Sequence, residues 1–413
     1  MNMNFKNYNN LVDLFFEQFQ KQSKDKIFLS NLKNNSKNFS WEEVNRTVLN
    51  FANEISKIID KGDRCLLISE NRPEWMISDL SIMLAGGITV PAYTTYISRD
   101  YEYIINDCSP SIVIVSNNEQ FDKVKNICER TASIKKIISF EKLSGINETT
   151  YFNLEDLINN NKKEEIKIKS NATRSDPACI IYTSGTQGNP KGVILSHGGI
   201  LSNCEGGYEL LKPILENETR FLTWLPLSHS YEHTVQFIQI AVGAKVFYAE
   251  GIDKLLKNMS ECSPHIMTAV PRFYQNLHQK INTTLNKAKG LKRLLINKTI
   301  KLGTKKFKNH NLSVSEKITD FIVEKLVRVK IKKQFGGSLK TFVSGGGALN
   351  AEIGTFLNSI GLPTLQGYGL TETSPVVSCN PIHKIRVETV GPPFKGNQVK
   401  IAEDGEILVK GEN

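Results

Sequence analysis

Short apolar runs alternate with longer amphipathic stretches along most of the chain, the spacing expected when parallel strands are covered by helices. Runs at 65–69, 111–115, 136–140, 178–182, 246–248, 265–270 and 341–343 read as strands, several of them followed at once by Gly, Pro or Asn turns. The predicted class is therefore α/β. In open sheets of that class, ligands lie at the turns beyond the carboxyl ends of the strands. The polar stretch 159–175 reads as a surface connection, and no internal repeat stands out.

Composition adds limits. A chain of 413 residues with 40% apolar types can bury a large core and fill two or three units. The polar N-terminus and the lack of any apolar run of about 18 residues predict a soluble, cytoplasmic protein without a secretory leader. The 7 cysteines (65, 108, 128, 179, 204, 262 and 379) are scattered and never form a CxxC pair. That argues for reduced thiols and against a disulfide framework or a zinc site.

The formal charge of +10 is not evenly spread. Segment 287–340 holds sixteen lysines and arginines against three acids, a surplus of thirteen, which leaves the rest of the chain at −3. Such a segment fits attraction to an anionic membrane surface, with peripheral attachment at its inner face, or simply a solvated helical face. No nucleic-acid-binding signature or aromatic interleaving accompanies it, so no nucleic-acid partner is expected.

The densest chemistry follows the run ending at Tyr182. Thr183, Ser184, Gly185, Thr186, Gln187 and Gly188 lead through Asn189 and Pro190 to Lys191. Free backbone amides, small hydroxyls and a following cation are what a polyphosphate needs. The spacing is not that of a Walker A loop, because Gly192 stands where a magnesium-reaching Ser or Thr would be. An ordinary Gly-rich turn is the bland reading of such a run.

This loop resembles the phosphate-binding signature of the adenylate-forming superfamily, which includes acyl-CoA synthetases, luciferases and adenylation domains. Further segments follow in the family's order: Leu225 to Glu232 with His229 and Tyr231, Ser344 to Leu349, and Gln366 to Pro375. Segments 391–393 and 405–411 resemble the start of the family's β-barrel. The resemblance implies the large N-terminal domain of the acyl-CoA synthetase fold, with two parallel-rich sheets. Its first α/β part would span 1–175, its second 176–390 with the basic insertion 287–340, and the barrel would begin at 391–413. It assigns the loop from Thr183 to Lys191 to the ATP β and γ phosphates. Gly345, Gly346 and Gly347 would admit the adenine, where a Cβ would block approach. Gln366, Gly367, Tyr368 and Gly369 would complete the nucleotide site, with Tyr368 stacking on the base. Thr371 would bind the α-phosphate, and Glu372, with Thr186, would hold Mg²⁺. Taken alone, Glu372 reads equally as a helix N-terminal acid. His229 would flank the acyl and CoA channels, although a lone histidine among apolar neighbours is more often a hydrogen-bonded core residue. Lys191, Thr371, Glu372 and His229 are the expected catalytic set.

Segments 70–75 and 270–274, together with the basic insertion, resemble the long-chain branch. The implied reaction is ATP-dependent activation of a fatty acid to acyl-adenylate, then acyl-CoA. The chain stops at Asn413, before the family's Thr-Gly-Asp element, hinge and small C-terminal domain with its catalytic lysine. These 413 residues alone are thus expected to show little or no ligase activity. An acyl-AMP ligase feeding a carrier protein and a non-catalytic nucleotide- or acyl-binding remnant are the competing readings.

Overall fold

The structure is a computed structural model that describes residues 3–33, 37–144, 151–156, 166, 168–184, 190–308 and 311–413. In chain order the strands are β1 (Ile27–Asn31), β2 (Asn38–Ser40), β3 (Arg64–Ile68), β4 (Ile88–Ala92), β5 (Ile112–Val115), β6 (Lys136–Ser139), β7 (Tyr151–Asn153), β8 (Pro177–Thr183) and β9 (Lys191–Ser196). They continue with β10 (Arg220–Thr223), β11 (Lys245–Tyr248), β12 (Ile266–Ala269), β13 (Thr341–Ser344), β14 (Thr364–Gly369), β15 (Val376–Cys379), β16 (Gln398–Ile401) and β17 (Ile407–Lys410). All seven predicted runs fall on strands: β3, β5, β6, β8, β11, β12 and β13.

Among the described residues these strands form two large sheets and a hairpin. The first sheet runs β7-β6-β5-β3-β4-β8-β9, parallel except where β9 turns back antiparallel on β8. The second runs β15-β14-β13-β12-β10-β11-β1-β2, parallel except at its two edges, where β2 and β15 reverse. β16 and β17 pair as a separate antiparallel hairpin. The fold class is α/β, as expected.

Helix starts follow local chemistry. Ser40 and Glu43 form a reciprocal capping box at Trp41–Ile55, Ser196 caps His197–Leu211, and Pro73 and Pro271 occupy first-turn positions where no N–H is needed. Helices Pro73–Leu84 and Ser230–Ala241 are buried along nearly their whole length; the first is mostly apolar, whereas the second also buries Glu232, His233, Gln236 and Gln239. One continuous core draws on Cys65, Leu67 and Ile112 of the first sheet, Phe221 and Val246 of the second, and Met76 and Phe237 of these helices. Within it Trp41 stacks on Phe28 at 3.9 Å between ring centres, a contact worth about 1 kcal/mol beyond burial. All seven cysteines are buried and unpaired. Among the described residues, no helix is long and apolar enough to cross a membrane.

Candidate functional site

A cavity of about 400 Å³ opens where β8, β13 and β14 end and helix Ser230–Ala241 begins. Its mouth is polar, with Thr183, Ser184, His229, Ser230, Thr371 and Glu372. Its depth is apolar, formed by Leu211, Phe221, Val235, Ile238, Ile266 and Phe394. Parallel strands deliver their turns to one edge, so four separated segments meet there.

The structure brings together much of the expected set. Thr183, Ser184, His229, Gly345, Gly346, Gly367, Tyr368, Gly369, Thr371 and Glu372 line this cavity. Lys191 does not line it, but it pairs directly with Thr183 across the β8/β9 ladder and is exposed at that edge. Gly347 and Gln366 lie outside the lining. The Gln366 amide is consumed by backbone: its oxygen accepts from Leu349 N–H and its nitrogen donates to the carbonyls of Val387 at 3.2 Å and Thr389 at 3.0 Å. It braces the turn after β13. Gly185, Thr186, Gln187 and Gly188 lie outside the described residues.

The mouth is built by a few specific contacts. The hydroxyls of Ser230 and Thr371 are 3.0 Å apart, joining the helix start to the turn after β14. Tyr231 donates to the Val343 carbonyl at 3.0 Å, and its ring lies where a Cβ on Gly345 would come within 2.8 Å. Gly345 is therefore required by Tyr231, whereas Gly346 is required by a φ of +73°. A Cβ on Gly369 would sit 2.0 Å from the Pro375 carbonyl oxygen, which folds the turn tightly back on itself. Asn203 holds the far side, accepting from Val376 N–H at 2.7 Å.

Segment 70–75 acts as a clip. Asn71 donates to the Leu225 carbonyl at 2.6 Å and accepts from Leu227 N–H at 3.1 Å, fixing the approach to His229. His229 caps helix Ser230–Ala241, its Nδ1 accepting from Tyr231 N–H at 3.1 Å. Burial holds its pKa below the usual histidine value, so the ring faces the cavity neutral at pH 7.

Deeper in the same helix, charge is locked away. The His233 ring lies 2.8 Å from the Asp79 carboxylate, which also accepts from Gln236 at 3.0 Å. Burial opposes the His233 charge, but Asp79 prevails and raises its pKa to about 10. Glu232 is buried against the Thr268 hydroxyl, and burial pushes its carboxyl up to about 7. Glu372 is the opposite case: exposed, and without an ion-pair partner among the described residues.

Of the contributing residues, Ser230, Asn203 and Phe394 were not singled out from sequence, and Tyr231 was named there without a role. Ser230 and Tyr231 sat beside His229 in a recognised segment, so proximity was a usable signal. Asn203 and Phe394 carried none.

A *Mycobacterium bovis* protein named long-chain-fatty-acid–CoA ligase FadD15 is 27% identical over 359 residues, covering 86% of this chain and 59% of its own. *Arabidopsis thaliana* long chain acyl-CoA synthetase 3 is 29% identical, covering 88% and 56%. An *Arabidopsis* chloroplastic long-chain-fatty-acid–[acyl-carrier-protein] ligase, AEE15, is 26% identical over 88% and 56%. The chain thus spans somewhat over half the length of these relatives. Two solved structures share the fold. ATP-bound MatB from *Rhodopseudomonas palustris* has a TM-score of 0.72 at 21% identity, over 98% of this chain and 71% of its own. The N-terminal domain of FACL13 from *Mycobacterium tuberculosis* has a TM-score of 0.72 at 16% identity, over 98% and 89%. The match to the family described as AMP-binding enzyme runs over residues 15–413, and the chain belongs to that family.

Proposed function

We propose that the cavity binds ATP at its polar mouth and a long-chain fatty acid in its apolar depth, as part of an enzyme that forms acyl-adenylate and then acyl-CoA. The observation carrying this reading is the continuity of the two environments. Hydroxyl and carboxylate groups at Thr183, Ser230, Thr371 and Glu372 open directly onto a pocket walled by Leu211, Phe221, Ile238 and Phe394. A carboxylate with an apolar tail, meeting a nucleotide triphosphate, suits that division.

In the proposed first step, a fatty-acid carboxylate oxygen attacks the α-phosphorus, the bond to the β-phosphate breaks, and acyl-adenylate and pyrophosphate result. Both reactants are anionic, so the work is electrostatic rather than acid-base. Lys191 at the β8/β9 edge and the loop before it are assigned the β and γ phosphates, and Thr371 the α-phosphate. Tyr368 is assigned the adenine, beside Gly345 and Gly346. In the second step the CoA thiol sulfur attacks the acyl carbon and AMP leaves. The neutral His229 ring is assigned a place beside the acyl group.

Mg²⁺ is assigned to Glu372 and Thr186. Among the described residues no group of three or more His, Cys, Asp or Glu is arranged to hold a metal. Among the described residues lining the mouth, Glu372 supplies a hard carboxylate, and with Thr186, assigned beside it, it would hold the ion, whose other ligands would be phosphate oxygens and water. When bound it would offset phosphate charge.

The similarity to AEE15 favours a second reading, transfer of the acyl group to a carrier protein instead of CoA. An anionic membrane surface met through 287–340 belongs to the proposal as well.

Calorimetry with MgATP and with a non-hydrolysable palmitoyl-adenylate mimic tests the site. Binding of both is expected, with the mimic far tighter because it fills both halves. Failure of the mimic to bind, or equal affinity for a mimic lacking the acyl chain, would overturn the reading. Thioester formation with free CoA against a carrier protein separates the two transfer partners.

A further inference from the structure

Segment 287–340 follows helix Pro271–Asn286, and its described residues fold as helices Gly290–Phe307, Val314–Val323 and Val329–Lys333, with a π turn at Glu324–Arg328. Its three acids are used internally. Lys305 meets Glu316 at 2.7 Å, Lys306 meets Asp320 at 3.3 Å, and Arg328 reaches Asp320 at 2.7 Å and Glu324 at 3.1 Å. Arg328 is itself buried and also donates to the Ser359 and Thr299 carbonyls, fastening these helices to the body.

The opposite side is not the polar face that a solvated helix would carry. Val314, Ile318, Phe321, Ile322, Leu326 and Val329 are 76, 60, 62, 44, 46 and 38% exposed. Their spacing places them along one stripe. Lys317, Lys325 and Lys330 are interleaved with this row and exposed. The Lys325 ammonium lies 4.5 Å from the Phe321 ring centre, its stem along the apolar row and its charge at the edge. On the neighbouring helix Leu291 and Leu294 are 73 and 50% exposed beside Arg293, Lys298 and Lys301.

We propose that the stripe from Val314 to Val329 docks on an anionic lipid bilayer, its apolar side chains entering the headgroup region while the lysines meet lipid phosphates. Apolar area plus cationic rim is the combination that binds such surfaces. Charge decides the occupant. A second copy would bring two faces of the same strong positive charge together, whereas anionic headgroups complement them. Nucleic acid leaves the row unexplained, since only Phe321 of the six can stack on a base. The inference rests on the membrane part of the reading above and is independent of the nucleotide site. Docking would hold the chain beside a reservoir of apolar acids.

The test is flotation of the 413-residue chain with vesicles of phosphatidylcholine alone and with one-third phosphatidylglycerol. Roughly hundred-fold stronger binding to the anionic vesicles is expected, about five-fold for each of Lys317, Lys325 and Lys330. Phe321→Glu with Leu326→Glu should reduce it about ten-fold or more by removing apolar area and adding repulsion. Lys317→Gln with Lys325→Gln should reduce it about five-fold for each lysine. MgATP affinity should stay unchanged in all variants, which separates failure here from failure of the nucleotide site. If the glutamate variant does not fold, the lysine variant decides, since both of its side chains are exposed. Absence of binding to anionic vesicles, or equal binding by wild type and variants, overturns the proposal. So does a concentration-dependent dimer that the glutamate variant abolishes, or retention on nucleic acid without flotation.

Discussion

The interior of helix Ser230–Ala241 and the cavity mouth at its first residue are both rich in polar groups, but they solve opposite problems. Inside, Asp79, His233 and Gln236 are fully buried and bound to one another. At the mouth, Glu372 and Lys191 are exposed and the hydroxyls of Ser230 and Thr371 face a cavity. A charge already matched within the fold is committed to stability. A charge with no partner in the fold is free to meet a ligand, and its removal should leave the fold standing.

The sharpest way to break this contrast is Asp79→Ala, which strands the buried His233 and should cost about 3–5 kcal/mol in denaturant unfolding. A stability change under about 1 kcal/mol would show that the pair is not holding the two sheets' helices together.

Acid titration sharpens the same interior. Burial holds His197 down to about 4, and its Nδ1 accepts from Leu11 N–H at 3.4 Å. The unfolded chain then binds a proton that the native state refuses, so stability should fall as pH drops from about 6.5 toward 4, by about 3 kcal/mol in all. His197→Gln should flatten that acid limb in thermal melts. His233 has the opposite sign: its pKa is raised to about 10, so its contribution is present at neutral pH and fades as pH rises toward that value.

At the mouth, Glu372→Gln and Lys191→Ala should each lower the rate of adenylate formation by roughly 100-fold, about 2.7 kcal/mol of lost charge stabilisation. Each should move the melting temperature little. Pyrophosphate exchange on a form of the protein that supports the reaction, paired with calorimetric MgATP binding on this chain, checks both. A large drop in melting temperature instead would place these residues with the interior group.

Gly345→Ala tests where the two regions touch. The new methyl would press on Tyr231 and loosen its bond to Val343, costing on the order of 1–2 kcal/mol of stability. MgATP binding should weaken by a few-fold through the displaced turn. An unchanged protein would mean that Tyr231 can swing aside freely.

Strands with undivided apolar runs were legible because period and flanking turns agree, as at β3, β5 and β12. Others were not. β4 contains Pro91 and so reads as an interruption, although its ladder with β3 tolerates it. β14, ending in Gly-Tyr-Gly, reads as a turn until β13 and β15 enclose it. β1 lies near the N-terminus, yet it pairs with β11 more than 200 residues later and carries β2 as the sheet edge, which no local pattern encodes.

What the sequence determined by itself was the class of the fold and the chemical menu of the site. Strand period, caps, obligatory glycines and an ordered series of polar turns are local properties, and local properties are written in neighbouring residues. What tertiary structure alone decided was which polar groups are used up and which are left open. Gln366 and Glu372 stand six residues apart and look equally available in sequence. Packing consumes the amide of one on backbone carbonyls and leaves the carboxylate of the other at the cavity mouth. The same holds for the basic segment: folding pairs Arg328 inward and turns an apolar row outward. The reason in both cases is that availability depends on distance and burial, and these are set only when remote strands and helices meet.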